Sequence, residues 1–164
     1  MTVKNLKLAV VGLGYVGLPL AVAFSQRQPV VGFDVNLKRV QELQIYNDVN
    51  GDYDHETLAN LTNIQYTSSA SDISECNCYV VAVPTPVNDN NDPDLSFLYQ
   101  ASEIVGSILN SGDLVIYEST VYPGVTEDEC GRILASVSGL TYINEVSQNH
   151  EKGFYLGYSP ERIN

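Results

Sequence analysis

The sequence predicts an α/β fold, a doubly wound, mostly parallel sheet with helices on both faces. Three observations carry that expectation. Short β-rich apolar runs alternate along the chain with segments of helical periodicity. The segment Gly12-Leu13-Gly14-Tyr15-Val16-Gly17 falls where the first such run gives way to the first helical segment. The 164 residues, 44% of them hydrophobic, suit one domain with a full core.

Leu6 to Val11 is a short run that ends in glycine, and its continuity reads as a buried parallel strand. Tyr15 to Gln26 has helical spacing, with Val16, Leu20, Ala23 and Phe24 able to share a face. Pro19 lies in its first turns, where a missing N–H costs least. Pro29 to Phe33 is a second strand, and Asp34 ends it. Asn36 is placed to cap a helix running through Val40 and Leu43 to about Tyr46. Asn47 to Asn63 is polar and acidic, with Asn50-Gly51-Asp52 as a turn signal and a helical turn at Leu58 and Leu61. Ile64 to Thr67 alternates as a third strand. Cys78 to Val83 is a fourth, stopped by Pro84-Thr85-Pro86. Asn88 to Asp94 reads as a polar loop and Leu95 to Leu109 as a helix. Asp113 to Tyr117 is a fifth strand, Val125 to about Val137 a helix, and Phe154 to Tyr158 a last strand.

Composition narrows the function. A net charge of −12, from 8 Lys plus Arg against 20 Asp plus Glu, gives no basic footprint for nucleic acid or an anionic membrane. It leaves a phosphate ligand open, because backbone amides at a helix N-terminus bind phosphate inside an acidic protein. Leu8 to Phe24 mimics a signal peptide or a short span, but its three glycines and Pro19 divide it into strand, turn and helix. Cys76, Cys78 and Cys130 make an odd count, which reads as reduced thiols in a cytoplasm. Cys76 and Cys78 are spaced C-x-C without an accompanying Cys or His cluster, so no metal site is expected.

The pattern G-x-G-x-x-G is weak alone and gains weight from its place between a strand and a helix. Gly12 would make the tight turn, Gly14 would let backbone approach a pyrophosphate, and Gly17 would let the helix pack close to the strand. The amides of Tyr15 and Val16 would face the pyrophosphate. Asp34 lies 20 residues past Gly14, at the end of the second strand. An acid there accepts hydrogen bonds from the adenosine ribose and repels a 2′-phosphate, which favours NAD over NADP in a Rossmann-like fold. Lys38 and Arg39 stand nearby, and a cation there softens that discrimination.

Four blocks, in order, resemble the UDP-glucose/GDP-mannose dehydrogenase family. They are Gly12-Leu13-Gly14-Tyr15-Val16-Gly17-Leu18-Pro19, Val83-Pro84-Thr85-Pro86, Glu118-Ser119-Thr120-Val121-Tyr122-Pro123-Gly124, and Tyr158-Ser159-Pro160-Glu161-Arg162-Ile163-Asn164. The last two are similar to the branch acting on UDP-N-acetylglucosamine or UDP-N-acetylgalactosamine, whose products serve capsules and O-antigens. The resemblance implies oxidation of a C6 alcohol to a carboxylate by two NAD, through a cysteine thiohemiacetal and thioester. It implies that Tyr15, Val16 and Asp34 bind NAD, with Arg39 at the adenosine. Thr85 and Thr120 would contact the nicotinamide half, and Thr120 would also help hold a catalytic water. Glu161 would assist proton transfer or hydrolysis, and Arg162 and Ile163 would touch the sugar nucleotide. The family's nucleophilic cysteine, catalytic lysine, dimerisation helix and UDP-binding domain belong to later sequence, so residues 1–164 are expected to be an NAD-binding domain that binds NAD without turnover. The full-length protein is expected to be a cytoplasmic homodimer acting on a UDP-sugar.

Other readings stand beside this one. Within the family, UDP-glucose or UDP-N-acetylmannosamine could be the substrate. A β-hydroxyacid-type dehydrogenase shares the architecture, and a methyltransferase shares the first loop and the acid. A non-catalytic dinucleotide-binding module is the reading from another class. Taken singly, Thr85 could be a rigid loop residue, Ser119 and Thr120 could cap the helix near Val125, and Glu161 could be a helix carboxylate. Glu118 has no assigned role.

Overall fold

A computed structural model of the chain describes residues 6–87, 93–144 and 152–159. Within them, seven strands form one sheet. They are β1 (Leu8–Val11), β2 (Val30–Phe33), β3 (Ile64–Thr67), β4 (Cys78–Val81), β5 (Leu114–Tyr117), β6 (Thr141–Tyr142) and β7 (Gly153–Tyr158), in the order β3-β2-β1-β4-β5-β7-β6. Every neighbouring pair is parallel. The helices are α1 (Gly17–Ser25), α2 (Leu37–Gln44), α3 (His55–Ala59), α4 (Ser96–Ile108) and α5 (Gly131–Ser138).

The continuous apolar runs are buried on both faces, as their composition requires. Alternate residues of β1 and β4 divide between two cores. Leu8, Val10, Cys78 and Val80 pack with Leu18 and Val22 of α1, Val40 and Leu43 of α2, and Leu58 of α3. Ala9, Val11, Tyr79 and Val81 pack on the other side with Leu98 and Val105 of α4 and Leu134 of α5. The chain thus winds outward from β1 over one face and from β4 over the other. β1 and β4 are adjacent, and the reversal between them opens a crevice beyond their carboxyl ends. Two buried phenols find partners: the Tyr79 hydroxyl donates to the Cys76 carbonyl at 2.8 Å, and the Tyr117 hydroxyl meets Ser102 Oγ at 2.7 Å, whereas the buried Tyr66 hydroxyl has none among the described residues.

The helix after β1 begins at Gly17, not Tyr15, because Gly14 to Val16 form a turn instead. Asn36 caps α2 as expected, accepting from the amides of Lys38 at 3.1 Å and Arg39 at 3.3 Å. That helix stops at Gln44, and Tyr46, with φ of 60°, turns the chain back. The expected helix from Val125 divides in two: Val125–Cys130 is π-helical and Gly131–Ser138 is α-helical. The edge strand β6 had no sequence signal, being two residues long with Thr141 exposed. Asn88 to Asp92 of the expected polar loop lie outside the described residues.

Gly17 locks α1 to the strand before it. A Cβ at this position would overlap the carbonyl of Gly12 and lie 3.4 Å from Ala82 Cβ. The backbone on both sides is fixed, so an alanine has nowhere to go. Gly17→Ala should therefore lower stability by about 1–3 kcal/mol, the usual cost of overpacking. An unchanged urea midpoint would contradict that packing.

Candidate cofactor site

The glycine loop leaves β1 at the crevice. Gly12 has a φ of 94°, a left-handed turn that favours glycine, and a Cβ there would sit 3.0 Å from the Ala82 carbonyl oxygen. Gly14 differs: a Cβ there would meet nothing within 4 Å, so its face opens into the cleft. The first turn of α1 has no acidic residue and its N-cap Val16 makes no side-chain bond. Leu18 and Leu20 donate to the Gly14 and Val16 carbonyls at 3.1 and 3.2 Å and Pro19 has no N–H, so in this turn the Gly17 amide and the positive dipole end are left for an anion.

A cleft of about 500 Å³ lies over this loop, lined by Gly12, Leu13, Gly14, Tyr15, Asp34 and Arg39 among others. Its size is in the range of cofactor sites, about 300–1,000 Å³. Val35, Val49 and Phe97 also line it and remain solvent-exposed, giving an aromatic base apolar surface in the same cleft as Asp34. The residues present fit a dinucleotide: amides for a pyrophosphate, a carboxylate for ribose hydroxyls, apolar surface for a base.

Asp34 and Arg39 hold the loop from two sides through Leu13. Asp34 Oδ2 accepts from the Leu13 amide at 2.8 Å, and Oδ1 accepts from the Asn36 amide at 2.8 Å. Arg39 Nε donates to the Leu13 carbonyl at 2.9 Å, and Nη1 donates to Asp48 Oδ1 at 2.8 Å. The Asp48 carboxylate also accepts from the amides of Asn50, Asp52 and Tyr53. Sequence reasoning missed Asp48. The available signal was the Asp48-x-Asn50 turn, closed by a 3.2 Å bond from the Asn50 amide to Asp48 Oδ1. The apolar walls at Val35, Val49 and Phe97 were also missed, since no local pattern marks them.

At the far end of the crevice, the loops after β4 and β5 and the last residue of β7 are laced together. Thr85 Oγ1 donates to the Thr120 carbonyl at 3.0 Å, so the two threonine loops meet. Both threonines lie outside the lining of the main cleft, which reaches Pro84. Ser119 Oγ donates to the Val83 carbonyl at 2.6 Å, and the Tyr158 hydroxyl both accepts from the Val121 amide and donates to its carbonyl. Ser119 and Thr120 do not cap the next helix, whose N-cap is Gly124 at φ 97°. Glu161, Arg162 and Ile163 lie outside the described residues.

All three cysteines are buried and free. Burial pushes the Cys130 thiol up, with Glu129 adding to it, and pushes Cys78 up to about 11. A thiol so placed is a poor nucleophile. Among the described residues, no helix is long and apolar enough to cross a membrane.

Burial acts to raise the Asp48 carboxyl, but the Arg39 hydrogen bond and charge and the Asn50 and Tyr53 amides outweigh it. The group sits below its ordinary value of 3.8. A carboxyl depressed by folding adds stability above its unfolded value, and that stability is lost as pH falls through the folded value. The urea midpoint should therefore drop between about pH 5 and about pH 3, and drop less in Asp48→Asn. An equal drop in both proteins would mean that this pair does not contribute to acid sensitivity.

Comparison with known proteins agrees with this geometry. The sequence profile of the UDP-glucose/GDP-mannose dehydrogenase family, NAD binding domain, matches residues 6–164. The chain is 52% identical over 162 residues to UDP-N-acetyl-D-glucosamine 6-dehydrogenase of Salmonella typhi, covering 99% of this chain and 36% of that protein. It is 47% identical to the enzyme of the same name from Pseudomonas aeruginosa, covering 98% of this chain and 36% of that one. The solved structure of a UDP-D-ManNAc dehydrogenase from Pyrococcus horikoshii superposes with a TM-score of 0.81 at 31% identity, covering 97% of this chain and 37% of that one. The chain thus spans a little over a third of the length of the relatives it matches. It belongs to the UDP-glucose/GDP-mannose dehydrogenase family, as the NAD-binding domain.

Proposed function

We propose that this chain is the NAD-binding part of an enzyme that oxidises the C6 alcohol of a UDP-N-acetylhexosamine to the uronic acid, using two NAD. The observation that carries the reading is the uncapped start of α1 beneath an open Gly14, facing Asp34 across one cleft. The choice of sugar rests on similarity: identity is 52% to a UDP-N-acetyl-D-glucosamine 6-dehydrogenase but 32% to a UDP-N-acetyl-D-mannosamine dehydrogenase.

The residue roles follow the chemistry of the site. The amides of Tyr15 and Val16 receive the pyrophosphate, and Gly12, Gly14 and Gly17 keep that approach open. Asp34 accepts from the adenosine ribose through its remaining lone pairs. Arg39 braces the adenosine end, and Thr85 and Thr120 serve the nicotinamide end, with Thr120 also helping to hold a water. Glu161 assists hydrolysis, and Arg162 and Ile163 meet the sugar nucleotide. Bound NAD supplies hydride acceptance. The enzyme's aldehyde-capturing thiol is none of Cys76, Cys78 and Cys130, which are buried. Residues 1–164 alone therefore bind NAD without turnover. The working enzyme is proposed to be a cytoplasmic homodimer.

Calorimetric titration of the 164-residue chain tests this. Saturable NAD binding is expected, much weaker with NADP, and weakened by about tenfold or more in Asp34→Ala, which loses charge-assisted hydrogen bonds. UDP-sugar-dependent NADH formation by this chain alone would refute the claim that it does not turn over. Failure to bind either dinucleotide would refute the cofactor assignment.

A further inference from the structure

An arginine close to the end of the second strand is a known means of accommodating a 2′-phosphate, whereas an acid there selects a ribose hydroxyl. This chain carries both, Asp34 and Arg39, on one cleft. The two residues favour opposite cofactors, and the geometry shows how the conflict is resolved.

Arg39 is 8% exposed in its side chain, and Asp48 is 0% exposed. The guanidinium is held at Nε by the Leu13 carbonyl and at Nη1 by Asp48. Strong recognition of a phosphate uses two parallel N–H groups along one edge of the guanidinium. With Nε and Nη1 engaged, each such edge already has one nitrogen committed. Nη2 is buried and has no protein partner. The three amides of Asn50, Asp52 and Tyr53 fix the carboxylate that holds Arg39. The other nearby cation, Lys38, lies 3.8 Å from Glu42 and is exposed.

We infer that Asp48 is a positioning residue for cofactor choice: by capturing Arg39 it withholds the guanidinium from the ribose 2′ position and leaves Asp34 to select the hydroxyl. The inference rests on the dinucleotide reading of the cleft. It separates two roles for Asp48. A merely structural carboxylate, once removed, would weaken NAD and NADP alike. A capturing carboxylate, once removed, changes their ratio.

The test is calorimetric titration of the 164-residue chain with NAD and with NADP, unaltered and as Asp48→Asn, Arg39→Met and the double variant. Asp48→Asn should shift the affinity ratio towards NADP by about tenfold or more, the worth of a charge-assisted bond to phosphate. Arg39→Met should leave the ratio as it is, and the double variant should return to the unaltered ratio. A folded Asp48→Asn protein with an unchanged ratio overturns the inference. So does an Arg39→Met protein that loses NADP affinity selectively, because Arg39 would then already be serving the 2′-phosphate. If Asp48→Asn does not fold, Asp48→Ser is titrated in its place, with the same two outcomes. An unaltered chain that binds neither dinucleotide overturns the cofactor reading and this inference with it, whereas NAD binding with an unchanged ratio overturns only the inference.

Discussion

Leu13 is held at both ends of its backbone. Its amide donates to Asp34 and its carbonyl accepts from Arg39, so the middle of the glycine loop is clamped between the end of β2 and the first turn of α2. The rest of the site depends on this clamp. A loop of three glycines in six residues has little conformational preference of its own. Fixing Leu13 fixes the direction in which Gly14 faces and the place where α1 begins. The buried leucine side chain also fits over Gly32 of β2, where a Cβ would sit 2.9 Å from Leu13 Cδ2. Apolar packing below and two charge-assisted bonds above therefore act on one residue.

The clamp has a cost that the surrounding chain offsets. A buried arginine and aspartate lose hydration, and their mutual attraction compensates only when further hydrogen bonds complete the arrangement. Asp48 has those bonds from three backbone amides. They exist because Tyr46 turns the chain at the end of α2 and Gly51, at φ 80°, closes the next turn. A polar, acidic segment is thereby ordered as a wall of the cofactor cleft. At the other end, parallel pairing of β4, β5 and β7 brings the loops after β4 and β5 beside the end of β7, and Ser119 and Tyr158 tie them.

What was legible in the sequence was local. Buried central strands announce themselves as unbroken apolar runs, and Asn36 announces a helix start through its own side chain. The place of Asp34, at the end of β2 beside the glycine loop, was legible because strand, glycines and spacing agree. The start of α1 was misplaced by two residues for the same reason that it suits an anion: no side chain caps it. The Asp48-x-Asn50 turn marked Asp48 as a turn residue, but its pairing with Arg39 was illegible, because that contact spans nine positions and is delivered by a left-handed turn at a tyrosine, which composition does not announce. β6 is too short to show a period, and its pairing with β7 depends on the tertiary fold. The meeting of Thr85 and Thr120 is likewise a product of topology, 35 residues apart in sequence.

The central claim is that NAD lies across the reversal between β1 and β4, against the loop that Leu13 anchors. Amide hydrogen exchange of the chain with and without saturating NAD tests it most directly, because it reports where backbone N–H groups become protected. The account predicts added protection in peptides covering Gly12 to Leu18, Asp34 to Arg39 and Ala82 to Pro86. Saturated NAD with no change in those segments, or with protection confined to the opposite edge of the sheet, would contradict it.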